Sequence, residues 1–218
     1  MISGVDEAGR GPCIGPLVVA GVNVEDDSKL VKNHVRDSKK LTPRRREYLA
    51  ERIKKLAIDY EIIVIPAKDI DDMRKVMTLN EIEVNAFIKV IKKLKPELCY
   101  VDSADVDEER FRINITNNLT FKTTVISKHK ADDIYPVVGA ASILAKIKRD
   151  EEIRDISFNL EKKIGLPMGS GYPADPITIR FLRKWIKKYD KFPAEVRHSW
   201  KTIKRLEDGK KTKSLDDF

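Results

Sequence analysis

The sequence is poor in the residues that would build a disulfide-bonded or zinc-bound protein. Cysteine occurs twice, at Cys13 and Cys99, and histidine three times, at His34, His129 and His198, each far from the others. Two cysteines make no disulfide framework, and reduced thiols fit an intracellular setting. Isolated histidines without paired cysteines lack the ligand spacing of a zinc site, and each is expected to be structural. Long apolar runs are also missing. The longest, around residues 137–145, falls far short of the ~20 residues that span a bilayer, so no membrane segment is expected. The opening Met-Ile-Ser-Gly-Val-Asp-Glu has neither the basic start nor the apolar core of a secretory leader. No internal repeat or low-complexity tract is present, which excludes solenoids and fibrous arrays. What is left is a cytoplasmic protein of 218 residues. At about 150 residues per domain, that length is one domain, or one with a small appendage. Such a chain buries roughly 70% of its unfolded surface and needs no covalent staple to fold.

Charge is plentiful but unevenly placed. The formal net charge is +8; residues 180–213 hold 13 Lys and Arg against 4 Asp and Glu, leaving 30 against 31 elsewhere. The whole excess therefore sits behind a near-neutral body. Phe181, Trp185, Tyr189, Phe192 and Trp200 are interleaved with it. Ile177, Phe181, Trp185 and Tyr189 recur every four residues, which predicts an amphipathic helix. Asp175-Pro176 supplies its N-cap and a proline at the first helical position. A basic helix with its aromatics in the core is the plain reading; the lopsided charge adds a phosphate-backbone partner.

Along the chain, strands over 2–6 and Leu17–Val24 flank a loop rich in glycine and proline. A helix over 43–57 opens at Thr42-Pro43, and a β-branched strand over 60–65 stops at Pro66. Thr78 and Glu81 form a capping box ahead of Ile82, Ala86, Val90 and Leu94. Leu98–Asp102 is a short apolar run closing on an acid, 107–118 is helical, and 122–127 is extended. Tyr135-Pro136 opens a helix to 158. Its first turns carry Gly139, Ala140, Ala141, Ser142 and Ala145, small enough to press against a sheet. A loop covers 165–175, and 207–218 is expected to be an unstructured polar tail. Strands alternating with helices predict an α/β fold with a mixed sheet.

Acids stand where these elements end. Asp6 and Glu7 lie where an apolar strand meets the glycine-rich loop, Asp102 ends the run from Leu98, and Asp132-Asp133 precede the Pro136 helix. Singly, Asp132 or Asp133 is a helix cap and Asp102 a turn. Adjacent Asp6 and Glu7 repel each other unless a cation or solvent separates them. Three acidic points at element ends suit one or two divalent ions, and hard oxygen donors suit Mg2+ or Mn2+. Gly4-x4-Gly9-Arg10 has the outline of a P-loop but lacks the Lys-Ser/Thr pair, and Asp6-Glu7 would repel phosphate from its centre.

The stretch Gly4-Val5-Asp6-Glu7-Ala8-Gly9-Arg10-Gly11-Pro12-Cys13-Ile14-Gly15-Pro16 resembles the opening signature of ribonuclease HII. Asp37-Ser38-Lys39-Lys40-Leu41, Tyr100-Val101-Asp102-Ser103, the run from His129-Lys130-Ala131-Asp132 through Lys146, and Gly169-Ser170-Gly171-Tyr172-Pro173 follow in the family's order. The match extends from Gly4 to about His198 and is most similar to the archaeal-type branch. The resemblance implies an RNase H-like mixed β-sheet flanked by helices over 1–163. It further implies a small helical C-terminal substrate-binding region over 164–206 and a flexible tail over 207–218. The implied activity is cleavage of RNA in RNA–DNA hybrids and at ribonucleotides embedded in duplex DNA, by two Mg2+ or Mn2+ ions. Asp6, Glu7, Asp102 and Asp132 carry over as catalytic metal ligands, with Asp133 in reserve for the fourth. Gly9, Arg10 and Gly11 carry over as a ribose-sensing loop, and Tyr172 as the tyrosine that packs on the neighbouring sugar. Ser38, Lys39 and Lys146 are expected to contact backbone phosphates.

Leu215 followed by Phe218 resembles the peptide by which replication proteins dock on the sliding clamp. Thr212 stands where that peptide has glutamine, and its second aromatic is missing. A monomer is expected. Two competing readings are a ribonuclease HIII-like enzyme, for which an additional N-terminal domain is usual, and a non-catalytic nucleic-acid binder. Acids at all four positions speak against the second.

Overall fold

In the computed structural model, residues 1–32, 35 and 42–213 are described, with side chains to residue 209. The chain divides into two compact units. The first comprises Met1–Ala8, Val18–Val64 and Thr78–Lys148. Its sheet is built from β1 (Ile2–Ala8), β2 (Leu17–Val24), β3 (Asp59–Ile65), β4 (Leu98–Asp102) and β5 (Thr124–Lys128). The strand order is β3-β2-β1-β4-β5. β1 runs antiparallel to β2 and parallel to β4, and β4 parallel to β5, so the sheet is mixed as the alternation predicts.

The helices of the chain are α1 (Ser28–Lys32), α2 (Pro43–Leu56), α3 (Ala67–Met73), α4 (Leu79–Leu94), α5 (Glu108–Thr116), α6 (Ala131–Ile134), α7 (Pro136–Ile164), α8 (Pro176–Tyr189) and α9 (Lys201–Lys213). Val18, Ala20, Val22 and Val24 of β2 share a buried core with Leu49 and Ile53 of α2 and with Val137, Val138, Ala141 and Leu144 of α7. The small residues at the start of α7 do press on the sheet. A Cβ on Gly4 would lie 2.3 Å from the Val137 carbonyl carbon, so only glycine lets the helix approach β1 this closely. On the other face, a Cβ on Gly21 would strike Val90 and Leu94 of α4. Helix α4 starts at the Thr78–Glu81 capping box, and its Phe87 meets Phe111 of α5 edge to face at 5.2 Å, an arrangement favoured by the ring quadrupoles.

The second unit comprises Gly9–Leu17, Ile65–Met77 and Arg149–Phe218. The division between the units falls within α7, and the glycine-rich loop belongs with the C-terminal helices. Its core gathers Cys13 and Ile14 with Leu160, Ile164, Met168, Phe181, Leu182, Trp185, Phe192, Val196 and Ile203. Helix α7 continues past the expected 158 because Leu160 and Ile164 carry a buried face onward, and Gly165, at φ 69°, ends it. The buried stripe of α8 is Thr178, Phe181, Leu182, Trp185 and Ile186, whereas Ile177 and Tyr189 are exposed. Residues 207–213, expected to be unstructured, extend α9. Ile203 anchors that helix in the core and Glu207 pairs with His198 Nδ1 at 3.2 Å, while Lys, Arg and Leu favour the helix intrinsically.

Candidate active site

The acids gather at one end of the sheet. Val5 stands opposite Val101 in the parallel β1–β4 pair, so Asp6 and Asp102 are the next residues on adjacent strands, about 4.8 Å apart across the ladder. Asp6 is only 4% exposed. Burial holds its carboxyl well above the usual range, and the charges of Glu7 and Asp102 push it further in that direction. A hydrogen bond with Ser142 of α7 and another from the Glu7 N–H at 2.7 Å act against the shift. Side chains alternate along a strand, so Asp6 shares the α7 face with Gly4 while Glu7 leaves from the opposite face.

Asp102 Oδ1 accepts the N–H of Ala131, the first residue of α6, at 2.8 Å. That bond ties the acid at the end of β4 to the segment carrying Asp132, which is buried, whereas Asp133 is exposed. Around them the loops are pinned. Asp105 takes a two-pronged ion pair from Arg110, which lowers its pKa to about 2, and fixes the chain after Asp102. Glu108 accepts the His129 N–H at 2.7 Å and Lys128 Nζ at 3.0 Å, fixing the chain before Asp132.

Divalent ions fit this donor set. The oxygens are hard, and positive charge would relieve the repulsion that raises Asp6. Among the described residues no group of three His, Cys, Asp or Glu side chains is placed to hold a metal ion, so the acids brought together are Asp6 and Asp102, with Asp132 on the segment bonded to Asp102. Magnesium is commonly held by one or two carboxylates and completed by water and substrate phosphate.

The second unit holds the loop residues. A Cβ on Gly11 would touch the Tyr172 ring at 3.4 Å, and Tyr172 is 42% exposed, so it lies over the loop instead of in the core. Arg149 stands 5.6 Å from the centre of that ring and donates to the Ser170 carbonyl at 3.2 Å. Cys13 donates its thiol to the Gly171 carbonyl at 3.2 Å, joining the Gly9–Leu17 segment to the loop of Tyr172. Lys146 lies one turn beyond Ser142 on the same face of α7. Arg180, Arg183, Lys184, Lys187 and Lys188 of α8 are exposed opposite its buried aromatic face. Ser38, Lys39, Leu215 and Phe218 lie outside the described residues. Sequence patterns missed Ser142, which passed as one more small packing residue, and also Arg149 and Arg197, which were indistinguishable from the surrounding charge.

Acids ending adjacent strands of a mixed sheet, with another on the helix that follows, are the marks of a nuclease of the ribonuclease H type. The family model for Ribonuclease HII matches residues 3–203. Ribonuclease HII of Methanosarcina acetivorans is 47% identical over 216 residues, covering 94% of this chain and 95% of its own. Ribonuclease H2 of Pyrococcus horikoshii OT3 superposes with a TM-score of 0.87 at 42% identity, covering 95% and 97% of the two chains. The RNase HII in a PCNA:RNase HII complex from Archaeoglobus fulgidus superposes with a TM-score of 0.81 at 44% identity, covering 92% and 95%. The chain belongs to the ribonuclease HII family. It is an endonuclease of the ribonuclease H type, acting on RNA–DNA hybrids. Among the described residues no helix is long and apolar enough to cross a membrane.

Proposed function

We propose that the chain cuts the RNA strand of hybrids and also incises duplex DNA at single embedded ribonucleotides, leaving 5′-phosphate and 3′-hydroxyl ends. Asp6, Glu7, Asp102 and Asp132 would hold two divalent ions, Mg2+ or Mn2+. The observation that carries this reading is the buried Asp6, raised by Glu7 and Asp102, with Asp102 bonded to the helix of Asp132. Ions held by these carboxylates would supply an activated water and stabilisation of the leaving oxygen in an in-line displacement.

The residues themselves do the positioning. Ser142 orients the Asp6 carboxyl and the Ala131 N–H orients that of Asp102, so both are preset before substrate arrives. Gly9, Arg10 and Gly11 bring bare backbone toward the ribose, where a side chain would stand in the way, and Tyr172 packs on the adjacent sugar. Lys146 contacts phosphate from the Ser142 face of α7, and Ser38 and Lys39 do so in the same reading. The exposed cations of α8 supply backbone affinity that a cluster of carboxylates cannot. Leu215 and Phe218 would dock on a sliding clamp, in keeping with the Archaeoglobus relative solved with PCNA, and the chain works as a monomer.

The test is cleavage of duplex DNA containing one ribonucleotide, with Mg2+, with Mn2+ and with EDTA. Cleavage with either metal and none in EDTA is expected. Asp6→Asn and Asp102→Asn should each abolish cleavage while leaving hybrid binding in place. Turnover in EDTA, or wild-type turnover in either variant, would sink the assignment.

A further inference from the structure

Arg197 heads the fully buried side chains of the protein by volume. A buried guanidinium is costly unless its donors are used, and here they are used on one loop. Nε donates to the Gly15 carbonyl at 2.9 Å, Nη1 to that of Arg10 at 3.0 Å and Nη2 to that of Gly9 at 2.6 Å. Its own N–H donates to the Cys13 carbonyl at 2.9 Å. Trp200 lies 4.8 Å beneath the guanidinium and donates its ring N–H to the Gly11 carbonyl at 3.3 Å. Asp71 fixes the following backbone, accepting the N–H groups of His198 at 2.6 Å and Ser199 at 2.9 Å. Burial first, and Arg149 second, lower the Arg197 pKa to about 10, still high enough to keep it charged at neutral pH.

The consequence follows from peptide geometry. In a trans peptide the carbonyl of one residue and the N–H of the next point in opposite directions. With the Gly9, Arg10 and Gly11 carbonyls drawn toward Arg197 and Trp200, the N–H groups of Arg10 and Gly11 turn to the other side. Pro12, next in line, has no N–H. Two successive amides facing one way make a donor edge suited to an oxygen.

We propose that Arg197 is a positioning residue for sugar discrimination: it fixes the loop carbonyls on one side so that the Arg10 and Gly11 amides meet the 2′-hydroxyl oxygen of the substrate ribose. Trp200 completes the clamp at Gly11. The inference rests on the ribonucleotide-incision reading above and adds what enforces it. A core-filling role alone would be served by an apolar side chain; three carbonyls of one loop would not then be held.

The test compares wild type with Arg197→Lys and Trp200→Phe. Trp200→Phe keeps a ring under the guanidinium and deletes the indole N–H bond to Gly11. Lysine keeps charge but cannot span three carbonyls. Two quantities are read: kcat and KM on duplex DNA with one ribonucleotide, and, in EDTA, its affinity relative to the same duplex made wholly of DNA. Arg197→Lys should lower the affinity ratio by about tenfold, the worth of one hydrogen bond; Trp200→Phe should lower it less, and both should leave all-DNA binding unchanged. Loss of kcat should accompany the loss of ratio. If both variants fold and keep the wild-type ratio, the inference is overturned; if Arg197→Lys fails to fold, Trp200→Phe decides alone. Wild-type incision at the ribonucleotide, measured in the same series, upholds or rejects the underlying reading regardless of the variants.

Discussion

Gly4→Ala probes the contact on which the acidic site is built. The added Cβ would lie 2.3 Å from the Val137 carbonyl carbon and 2.4 Å from the Val137 oxygen and Val138 nitrogen. All three are backbone atoms, so no rotamer change relieves the clash. Ordinary contact begins near 3.4 Å, and the start of α7 must therefore retreat from β1 by about 1 Å. Overpacking of this kind costs about 1–3 kcal/mol. For a chain of this length each kcal/mol lowers Tm by roughly 2–4 °C. Activity should suffer more. Ser142, which bonds Asp6, rides on α7, and Asp132 lies just ahead of that helix, so one movement disturbs two acids. A displacement of about 1 Å at reacting groups can cost on the order of 100-fold in rate. The assays are thermal unfolding followed by circular dichroism, and single-turnover cleavage of an RNA–DNA hybrid at saturating metal. Gly209→Ala is the control: nothing lies within 4 Å of its Cβ, so it should stabilise α9 by about 0.5–1 kcal/mol and leave the rate alone. A Gly4→Ala protein with wild-type Tm and wild-type rate would refute the reasoning.

Four further outcomes can be measured. Asp132→Asn should remove metal-dependent cleavage whereas Asp133→Asn, altering an exposed carboxylate, should keep it; parallel rate assays decide which acid serves. Tyr172→Ala should slow incision at a single ribonucleotide more than cleavage of a long hybrid, and equal effects on both substrates would remove its junction role. Replacing Arg183, Lys184 and Lys187 together by alanine should flatten the plot of log affinity against log salt by about 2.7, at roughly 0.9 per phosphate contact; an unchanged slope would move the phosphate footprint off α8. Asp175 caps α8, and its bonds from the Ser170 N–H and hydroxyl lower its pKa to about 2 from an ordinary 3.8. Its stabilisation is therefore complete above about pH 4 and lost as pH falls toward 2, so the Tm gap between wild type and Asp175→Asn should close over that window.

Local patterns were legible where they had a local cause. The Thr78–Glu81 capping box, the Asp175-Pro176 helix start and the run ending at Asp102 all stand in the structure where their spacing puts them. So does the pressure of α7 on the sheet, because a run of small residues on one helix face leaves room for close approach. Ends of elements were less legible, since they depend on partners far away in the chain. Helix α7 runs on to Ile164 because Leu160 and Ile164 meet the core that Phe181 and Trp185 build, and nothing within residues 159–164 announces that core. Helix α3 went unseen for a related reason: two buried residues, Ala67 and Ile70, are too few to make a period.

Charge shows the limit most sharply. Within residues 180–213 Arg197 counts as one of 13 cations, identical in sequence terms to Arg183 or Lys187. The fold separates them into opposite uses. Arg183 and Lys187 face water, where their charge is available to a polyanion, whereas Arg197 is buried and its donors are spent on main-chain oxygens of a loop more than 180 residues away. Its charge is turned inward, and its geometry sets the direction of the Gly9–Arg10 and Arg10–Gly11 peptides. Replacing a surface cation should therefore move salt dependence and leave sugar discrimination alone, and replacing Arg197 should do the reverse. The two variant sets, run on the same substrates, separate how the enzyme holds a nucleic acid from how it tells which sugar it holds.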